Sequence, residues 1–512
     1  MAGQVYARGS ASGARRLHHT RVAGVTILAD RARTLAWLTG GQVDTAQVAV
    51  RMAALWAPPH PFDQASMFPG VHSLAPGFAL ELGRRGEAGE RQWWQPPESE
   101  LPLAEGAAGL RTALREAVGV RVEPGQRWAA DLSGGMDSTS LCFLAAEAGA
   151  ELVALTLDRS DPHNDDHTYA RQAAASLPPS TVHLTFSSAQ LPPYLTDLGV
   201  SGEPEDEPSL KRRDLAQQEH LAHTHRSHGA RRRLCGQGGD HLVIPPLSHL
   251  HDLLRHQPHL AWKRLSGYAA KHRWSRIQAA RALADRRPYG AWLAAQGERL
   301  LRDTYTAAPP LSWGLPVRMP PWATPRAREL VAGLLRTAVD IPPLADTRSR
   351  HGWIHQARQA ARVALAYDQH GMELDMPFCD DAVLEACLRL RAHEAVTPWT
   401  FKPLLATAMR GIVPQPLLER TTKSGATAEW HTGLKTQQRQ LASWCEDSRL
   451  LATGLADPHI LRRAWLSPGT LPAADGPLVE FALAIETWLR EVEQHPLPRY
   501  LKEHPREPSA AR

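Results

Sequence analysis

One short stretch, residues 128–144, constrains the fold of this chain more than any other. It begins with an apolar run, turns at Ser133-Gly134-Gly135 and continues in a helical pattern from about Ser138. A strand, a glycine-rich turn and a helix form an anion site, because glycines let backbone N–H groups approach a phosphate and the helix N-terminus adds a favourable dipole. The turn contains no lysine, so it is not the G-x-x-x-x-G-K-[ST] loop of kinase-like NTPases. The stretch predicts a phosphate site of another kind, with an ordinary glycine turn as the alternative.

Further apolar strands follow this turn along the chain. They are predicted at 151–158, 181–186 and 233–236, and helical patterns separate them. Strands that alternate with helices indicate an α/β fold with a parallel sheet covered by helices on both faces. Ligands of such sheets bind at the carboxyl ends of the strands. The turn at Ser133 lies at one such end, and the run G-Q-G-G-D (residues 236–240) lies at another.

At 512 residues the chain is expected to contain more than one domain. Residues 21–100 predict a small, mostly β unit, with two strands within 22–39. Residues 101–500 predict the α/β unit, which becomes mainly helical in its second half. The two ends, 1–20 and 501–512, are polar or rich in glycine and serine, and we predict a loose terminus and a disordered tail.

Composition and charge exclude several classes of partner. No apolar run is long enough to cross a bilayer, and the first residues lack the apolar core of a secretory signal. The five cysteines are scattered without a Cys-x-x-Cys pair, so neither a disulfide framework nor a zinc site is expected. The net charge is +5, and the basic clusters at 211–213 and 231–233 carry no interleaved aromatic residues. We therefore expect a cytoplasmic protein with no nucleic-acid and no membrane partner.

Two aspartates follow the two predicted strand ends. Asp137 lies in the turn after the first strand, and Asp240 closes the G-Q-G-G-D run. Two carboxylates that face a triphosphate suit Mg²⁺, a hard ion that takes oxygens from a few carboxylates and from the phosphates themselves. We predict that both aspartates hold Mg²⁺; a capped turn is the alternative for G-Q-G-G-D taken alone.

Five motifs occur in an order that resembles a known family. They are L-S-G-G-M-D-S (132–138), G-Q-G-G-D (236–240), M-E-L-D-M-P-F-C-D (372–380), F-K-P-L-L (401–405) and P-Q-P-L-L-E-R-T-T-K-S-G (414–425). The set resembles the synthetase half of the asparagine synthetase family, enzymes whose glycine-rich loop cuts ATP into AMP and pyrophosphate. The resemblance implies an adenine nucleotide alpha-hydrolase-like sheet with a helical C-terminal part. The block before residue 100 resembles the end of the family's Ntn-type glutaminase domain in a small, degenerate form.

The resemblance implies ATP and Mg²⁺ as cofactors and a role for each motif. The nucleotide-binding residues so implied are Leu132, Ser133, Gly134, Gly135, Asp137, Ser138, Thr156, Gly236, Gln237 and Asp240. Lys423 would neutralise charge at the phosphorus and at the later tetrahedral intermediate, with a surface charge as the alternative. Glu373 would be the base that activates the attacking amine, with a structural partner for an arginine as the alternative. The acidic run 205–208 either meets a peptide amine or is solvated.

Departures from the family pattern point to a particular branch. Residue 2 is alanine where a glutaminase needs a cysteine, and no cysteine precedes Cys142, so we expect no ammonia from glutamine. Gln237 stands where asparagine synthetases have Glu and β-lactam synthetases have Tyr. Asp375 and Cys379 replace the family's Arg and Leu, so the substrate is expected not to be aspartate.

The lasso-peptide cyclases fit these departures best. The resemblance to them implies a core peptide whose N-terminal amine is joined to an Asp or Glu side chain, closing a macrolactam ring, with a leader-binding protein and a leader peptidase as partners. Ammonia-dependent asparagine synthesis and a β-lactam synthetase-like reaction are the alternatives. A tRNA-modifying pyrophosphatase and a non-enzymatic scaffold are more distant ones.

Overall fold

The computed structural model describes residues 5–54, 56–83, 87–159, 164–200, 202–302, 308–365, 372–421, 427–472 and 475–496. Its strands are β1 (Val5–Arg8), β2 (His18–Val22), β3 (Val25–Ala29), β4 (His72–Ser73), β5 (Phe78–Leu82), β6 (Ala88–Gln92), β7 (Arg127–Asp131), β8 (Glu151–Asp158), β9 (Val182–Ser187), β10 (Arg232–Leu234) and β11 (Glu373–Asp375). Its helices are α1 (Ala32–Leu38), α2 (Thr45–Ala54), α3 (Leu103–Gly119), α4 (Met136–Glu147), α5 (Asp166–Ser176), α6 (Leu215–Ser227), α7 (Gly239–Val243), α8 (His249–His256), α9 (Pro258–His272), α10 (Arg276–Ala284), α11 (Tyr289–Leu301), α12 (Pro325–Thr337), α13 (Arg348–Leu365), α14 (Asp381–Leu388), α15 (Ala392–Ala395), α16 (Pro403–Ala408), α17 (Gln415–Leu418), α18 (Thr427–Thr436), α19 (Gln438–Glu446), α20 (Arg449–Ala452), α21 (Pro458–Leu466) and α22 (Gly476–Gln494). The segment 501–512, predicted to be disordered, lies outside the described residues. None of the described helices has the length and apolar character needed to cross a membrane.

The central sheet has five parallel strands in the order β11-β10-β7-β8-β9. The chain builds β7, β8 and β9 outward in one direction, and then crosses back to place β10 and β11 on the other side of β7. This reversal opens a crevice between β7 and β10 at the carboxyl ends of the strands, which is where ligands of such sheets bind. The predicted parallel sheet is confirmed, and β11 is a short fifth strand that the sequence did not predict.

Helices cover both faces of this sheet. On one face Trp128 and Ala130 of β7 pack with α3 and α4. On the other face Ala129 and Val153 pack with Ala222 of α6. Because β7 and β8 are buried on both faces, their residues form nearly continuous apolar runs in the sequence, which is why the runs predicted these strands.

A unit with two small antiparallel sheets precedes the central sheet. The strand orders are β1-β5-β6 and β3-β2-β4. Val48 and Met52 of α2 are fully buried and share one hydrophobic core with Trp322 and Trp488 of the helical region. The N-terminal unit and the C-terminal helices are therefore packed as one body. The small, mostly β character is as predicted, and its likeness to a glutaminase domain stays a prediction.

The N-terminal segment differs from the prediction of a loose terminus over 1–20. Residues 5–8 form β1, which pairs with β5. The following turn is bound to α14, because the backbone N–H groups of Ala11 and Ser12 donate to the two carboxylate oxygens of Asp381 at 3.0 and 2.9 Å. Ala11 is fully buried. The polar, glycine-rich composition therefore reflects a tight turn with satisfied backbone groups and not a flexible end.

The second strand predicted within 22–39 is a helix. The first, residues 22–29, covers the last residue of β2, a turn and all of β3, but the residues from Ala32 to Leu38 form α1. Ala32, Leu35 and Ala36 are its buried apolar side chains, at the i, i+3, i+4 spacing of a helix face. A run of seven residues is too short for this periodicity to be distinguished from a buried strand in the sequence.

Candidate active site

The hydroxyl groups of the first glycine-rich turn hold it in shape. The N–H of Ser133 donates to Oγ of Ser138 and the N–H of Gly135 donates to Oγ of Ser133, both at 3.3 Å, and the two hydroxyl oxygens lie 2.9 Å apart. Gly134 has a φ of +76°, and a Cβ there would lie against the backbone carbonyl of Asp166 at the start of α5. α4 begins directly after the turn. This arrangement fits an anion site, and we call residues 132–138 the phosphate loop.

The G-Q-G-G-D loop (residues 236–240) packs directly against the phosphate loop. A Cβ on Gly236 would lie 2.8 Å from the backbone nitrogen of Ser138, and one on Gly239 would lie 2.8 Å from Cβ of Asp137. Both glycines therefore allow an approach that no side chain would permit. The contact brings Asp137 and Asp240 to the same point of the crevice, as their places at two strand ends predicted.

Lys402 lies between these two aspartates. Its Nζ is 2.5 Å from Oδ2 of Asp137 and 2.7 Å from Oδ1 of Asp240. The side chain is almost fully buried, and the residue precedes α16 with a left-handed backbone. Burial alone would lower the pKa of Lys402, but the carboxylates of Asp137 and Asp240 raise it above its usual value. Lys402 is therefore charged, and its single positive charge offsets one of the two negative charges beside it.

Lys402 lies in the F-K-P-L-L motif, but no role was predicted for it. One signal could have found it: a lysine followed by Pro403, Leu404 and Leu405 starts a buried apolar segment. A buried lysine is rare unless it is paired with an acid, so such a position calls for a carboxylate partner.

Asp137 and Asp240 fit the Mg²⁺ that the family resemblance implies. Their oxygens converge within hydrogen-bond distance of a single nitrogen, so one cation can contact both. The donor set is two hard carboxylate oxygens, which matches an ion that takes its remaining ligands from phosphate and water. Within the described ranges no group of three or more metal-ligating side chains occurs, so these residues offer no all-protein metal cage.

Arg420 fastens the phosphate loop to α5. Its guanidinium donates to the backbone carbonyl of Gly134 at 2.7 Å, to Asp165 at 2.7 Å and to Asp166. The side chain is 4% exposed and stacks over the ring of Tyr169 at 4.5 Å. Arg420 lies in the last of the five motifs, but no role was predicted for it. Lys423, the predicted catalytic lysine three residues further on, lies outside the described residues.

Of the residues predicted to flank the adenosine, Leu132 and Gly236 begin the two loops, and Thr156 lies near the end of β8. The hydroxyl of Thr156 donates to the carbonyl of Leu132 at 2.7 Å and lies 2.8 Å from Nε2 of His183. Burial lowers the pKa of His183, so its ring is neutral near pH 7. The end of β7 is thereby fixed against β8, with Leu132 fully buried.

A cavity of about 920 Å³ opens beside these loops. Its wall includes Asp131, Arg233 and Gln237 from the strand ends and the G-Q-G-G-D loop. The acidic run 205–208 and parts of the N-terminal unit, such as Trp56, complete it. The N-terminal unit and the strand end before the phosphate loop therefore line the same cavity. Gln237 is in position to contact a molecule bound there.

The structure does not bring Glu373 to this cavity. Met372 and Leu374 line the wall, and Glu373 lies on the opposite face of β11. Its side chain is 75% exposed and pairs with Arg232 at 3.2 Å. Because successive side chains of a strand point to opposite faces, Glu373 cannot act as a base in the cavity. The alternative, a structural partner for an arginine, is the one the geometry supports.

Asp375 is also a structural residue. It pairs with Arg121 at 3.0 Å and with Arg232 at 2.9 Å, and it does not line the cavity. Cys379 is buried and faces Gly238 of the G-Q-G-G-D loop. These two departures from the family pattern therefore change the packing behind the loops, and they do not by themselves describe the substrate.

The acidic run 205–208 is held by cations. Glu207 contacts Arg16 at 3.1 Å, Arg51 at 3.0 Å and Arg362 at 2.7 Å. Burial alone would raise the pKa of Glu207, but the three arginines lower it to about 2. Glu205 pairs with Lys211. The run is thus neither solvated nor free to meet an amine; it ties the N-terminal unit to α13.

An open parallel sheet with two glycine-rich loops at its switch point defines this chain as an α/β protein. The chain belongs to the asparagine synthase family, since the family described as Asparagine synthase matches residues 109–490. The predicted family is therefore confirmed. A similar curated protein is the Carboxyethyl-arginine beta-lactam-synthase of Streptomyces clavuligerus, 32% identical over 133 residues. That match covers 24% of this chain and 25% of the relative, so it spans about a quarter of the relative's length.

Proposed function

We propose that this chain is an ATP-dependent, AMP-forming ligase that closes an amide ring within one peptide, as lasso-peptide cyclases do. Family membership supports an amide-forming ligase that uses ATP. The observation that carries the finer proposal is the cavity of about 920 Å³ beside the phosphate loop. It lies near the upper end of the range for drug-sized ligands, roughly 300–1,000 Å³, and exceeds what a single amino acid needs.

In the proposed reaction a side-chain carboxylate attacks the α-phosphorus of ATP and displaces pyrophosphate. The phosphate loop would hold the pyrophosphate through the hydroxyls of Ser133 and Ser138 and its backbone N–H groups. Asp137 and Asp240 would hold Mg²⁺, which stabilises charge on the leaving group when bound. Lys402, already beside both aspartates, would supply a further positive charge, and Lys423 follows Arg420 by three residues in the last motif.

The attacking amine is proposed to belong to the same peptide. The residues before Cys142 include no cysteine, so the N-terminal unit of this chain offers no thiol to release ammonia from glutamine. An amine held in the same molecule near its target can gain about 7–11 kcal/mol over a free one. The proposed partners are the precursor peptide, a leader-binding protein and a leader peptidase.

The function is tested with a pool of synthetic peptides that carry an N-terminal glycine and one Asp or Glu at the seventh, eighth or ninth position. Incubation with Mg-ATP is expected to release AMP and pyrophosphate and to remove one water from the peptide mass. N-acetylated copies of the peptides are the control, and should not lose water. Formation of asparagine from aspartate and ammonium, with no change in the peptides, would contradict the proposal.

The Gly239→Ala variant is expected to lose roughly 10²-fold in the rate of pyrophosphate release. A Cβ at this position would lie 2.8 Å from Cβ of Asp137 and push that carboxylate from its place beside Asp240. Displacement of a positioned group by about 1 Å can cost about 10²-fold in rate. Gly333→Ala, where a Cβ meets nothing within 4 Å, is the matched control. An unchanged rate for Gly239→Ala would show that the spacing of the two aspartates is not critical.

A further inference from the structure

Most carboxylates in the cavity wall are already engaged. Asp131 accepts two hydrogen bonds from Arg233, at 2.9 and 2.6 Å. Glu205 pairs with Lys211, and Glu207 is surrounded by three arginines. Asp206 accepts a hydrogen bond from the backbone N–H of Arg33 at 2.9 Å. These carboxylates therefore already form ion pairs or hydrogen bonds within the protein.

Asp214 is different. It lines the cavity at the N-cap of α6, yet its side chain forms no cap hydrogen bond to that helix. Oδ2 accepts one hydrogen bond, from Nε2 of Gln218 at 3.3 Å. Oδ1 is buried, and no residue in the described part of the chain donates to it. A buried acceptor without a donor is costly, and an aspartate at an N-cap usually caps its helix. Asp214 therefore lines the cavity with a carboxylate of which one oxygen is buried and receives no hydrogen bond from another residue in the described part of the chain.

A chain of hydrogen bonds links Asp214 to the phosphate loop. Gln218 donates to Asp214 and accepts from Nη1 of Arg233 at 2.8 Å. Arg233 in turn donates to Asp131, the residue directly before Leu132. All four of these side chains line the cavity. Asp214 is thus held on the same wall as the strand end from which the phosphate loop starts.

The surroundings of Asp214 leave its carboxyl group with a raised pKa. Burial raises the pKa of Asp214, and Arg213, Gln218, the backbone N–H of Asp214 itself and Arg159 only partly offset that rise. Glu480 on α22 and Arg233 on β10 also face it. Arg213 is directed toward Glu480, at 3.7 Å, and the ring of Tyr194. A carboxylate with a raised pKa is a stronger base than an exposed one, which suits proton transfer from an amine.

We propose that Asp214 binds the attacking amine of the substrate and accepts its proton. This inference rests on the proposed function, because the amine needs an acyl-adenylate to attack. The neutral amine forms the new C–N bond, the bond between the carbonyl carbon and the AMP oxygen breaks, and AMP leaves with the electron pair. The proton released from the nitrogen passes to the carboxylate of Asp214. Asp214 thus takes the role that sequence analysis assigned to Glu373.

The test separates activation of the carboxylate from attack by the amine. Wild type, Asp214→Asn and Asp214→Glu are incubated with Mg-ATP and the synthetic peptide pool, with and without hydroxylamine. Hydroxylamine traps an acyl-adenylate as a hydroxamate without the peptide's own amine. Asp340→Asn is the matched control, because Asp340 is an exposed carboxylate that does not line the cavity.

Asp214→Asn is expected to form hydroxamate within about threefold of the wild-type rate, and to close the ring roughly 10²-fold more slowly. Asp214→Glu should recover part of the ring closure, and Asp340→Asn should match the wild type in both assays. Ring closure by Asp214→Asn at the wild-type rate would overturn the inference, as would equal losses in both assays. A wild type that forms neither hydroxamate nor ring from any peptide overturns the proposed function itself, so the two failures are distinguishable.

Discussion

The Lys402→Met variant is expected to be roughly 2–4 kcal/mol less stable than the wild type in metal-free buffer, and to recover much of that loss when Mg²⁺ is added. Lys402 is 3% exposed, and its Nζ lies 2.5 and 2.7 Å from the carboxylates of Asp137 and Asp240. Without the lysine these two carboxylates repel each other in a largely buried site. A divalent cation that binds between them replaces the lost charge and stabilises the folded state by mass action.

Denaturant unfolding followed by tryptophan fluorescence, with EDTA and with millimolar Mg²⁺, measures this difference. Lys263→Met is the control, since Lys263 is an exposed lysine whose Nζ lies 5.7 Å from the centre of the Trp399 ring. Lys402→Met is also expected to form hydroxamate roughly 10²–10³-fold more slowly, because it lacks a positive charge beside the departing pyrophosphate. Equal stabilisation of wild type and variant by Mg²⁺ would show that the lysine and the metal do not share a site.

Much of the central sheet could be predicted because its signals are local. The strand predicted at 151–158 coincides with β8, since a strand buried on both faces leaves an uninterrupted apolar run. The meeting of Asp137 and Asp240 could also be predicted, because both follow strands of one parallel sheet. These predictions needed only the pattern of each segment and a general rule about strand ends.

The orientation of Glu373 could not be predicted in the same way. A shift of one residue in strand register moves a side chain to the other face of a sheet, and β11 is only three residues long. The motif located this segment near the site but did not specify which side chains face the cavity. Asp214 lies in no motif. Its proposed role depends on its position in the cavity wall and on a carboxylate oxygen without a partner among the described residues, both of which result from tertiary packing. Lys402 meets Asp137 across 265 residues of chain, a contact that no local pattern encodes.

The Arg420→Lys variant is expected to form hydroxamate roughly 10²-fold more slowly and to bind ATP more weakly. Arg420 contacts the carbonyl of Gly134, Asp165 and Asp166 at once, and its plane stacks on the ring of Tyr169. A lysine keeps the charge but cannot reproduce a planar group with donors in several fixed directions. The carbonyl of Gly134 then loses its partner, and the phosphate loop loses its connection to α5. Rates of hydroxamate formation across a range of ATP concentrations measure both effects.

Removal of the whole side chain provides a sharper test of the same contact. Arg420→Gly is expected to lose about 3–5 kcal/mol of stability, because it leaves Asp165 and Asp166 without their buried cation. Guanidinium at concentrations far below those that unfold proteins should restore part of the activity of Arg420→Gly, since the vacated slot above Tyr169 fits a planar cation. Arg410→Lys, at an exposed position, should behave as the wild type. If guanidinium stabilises Arg420→Gly but leaves its rate of hydroxamate formation unchanged, Arg420 holds α5 in place without shaping the phosphate loop.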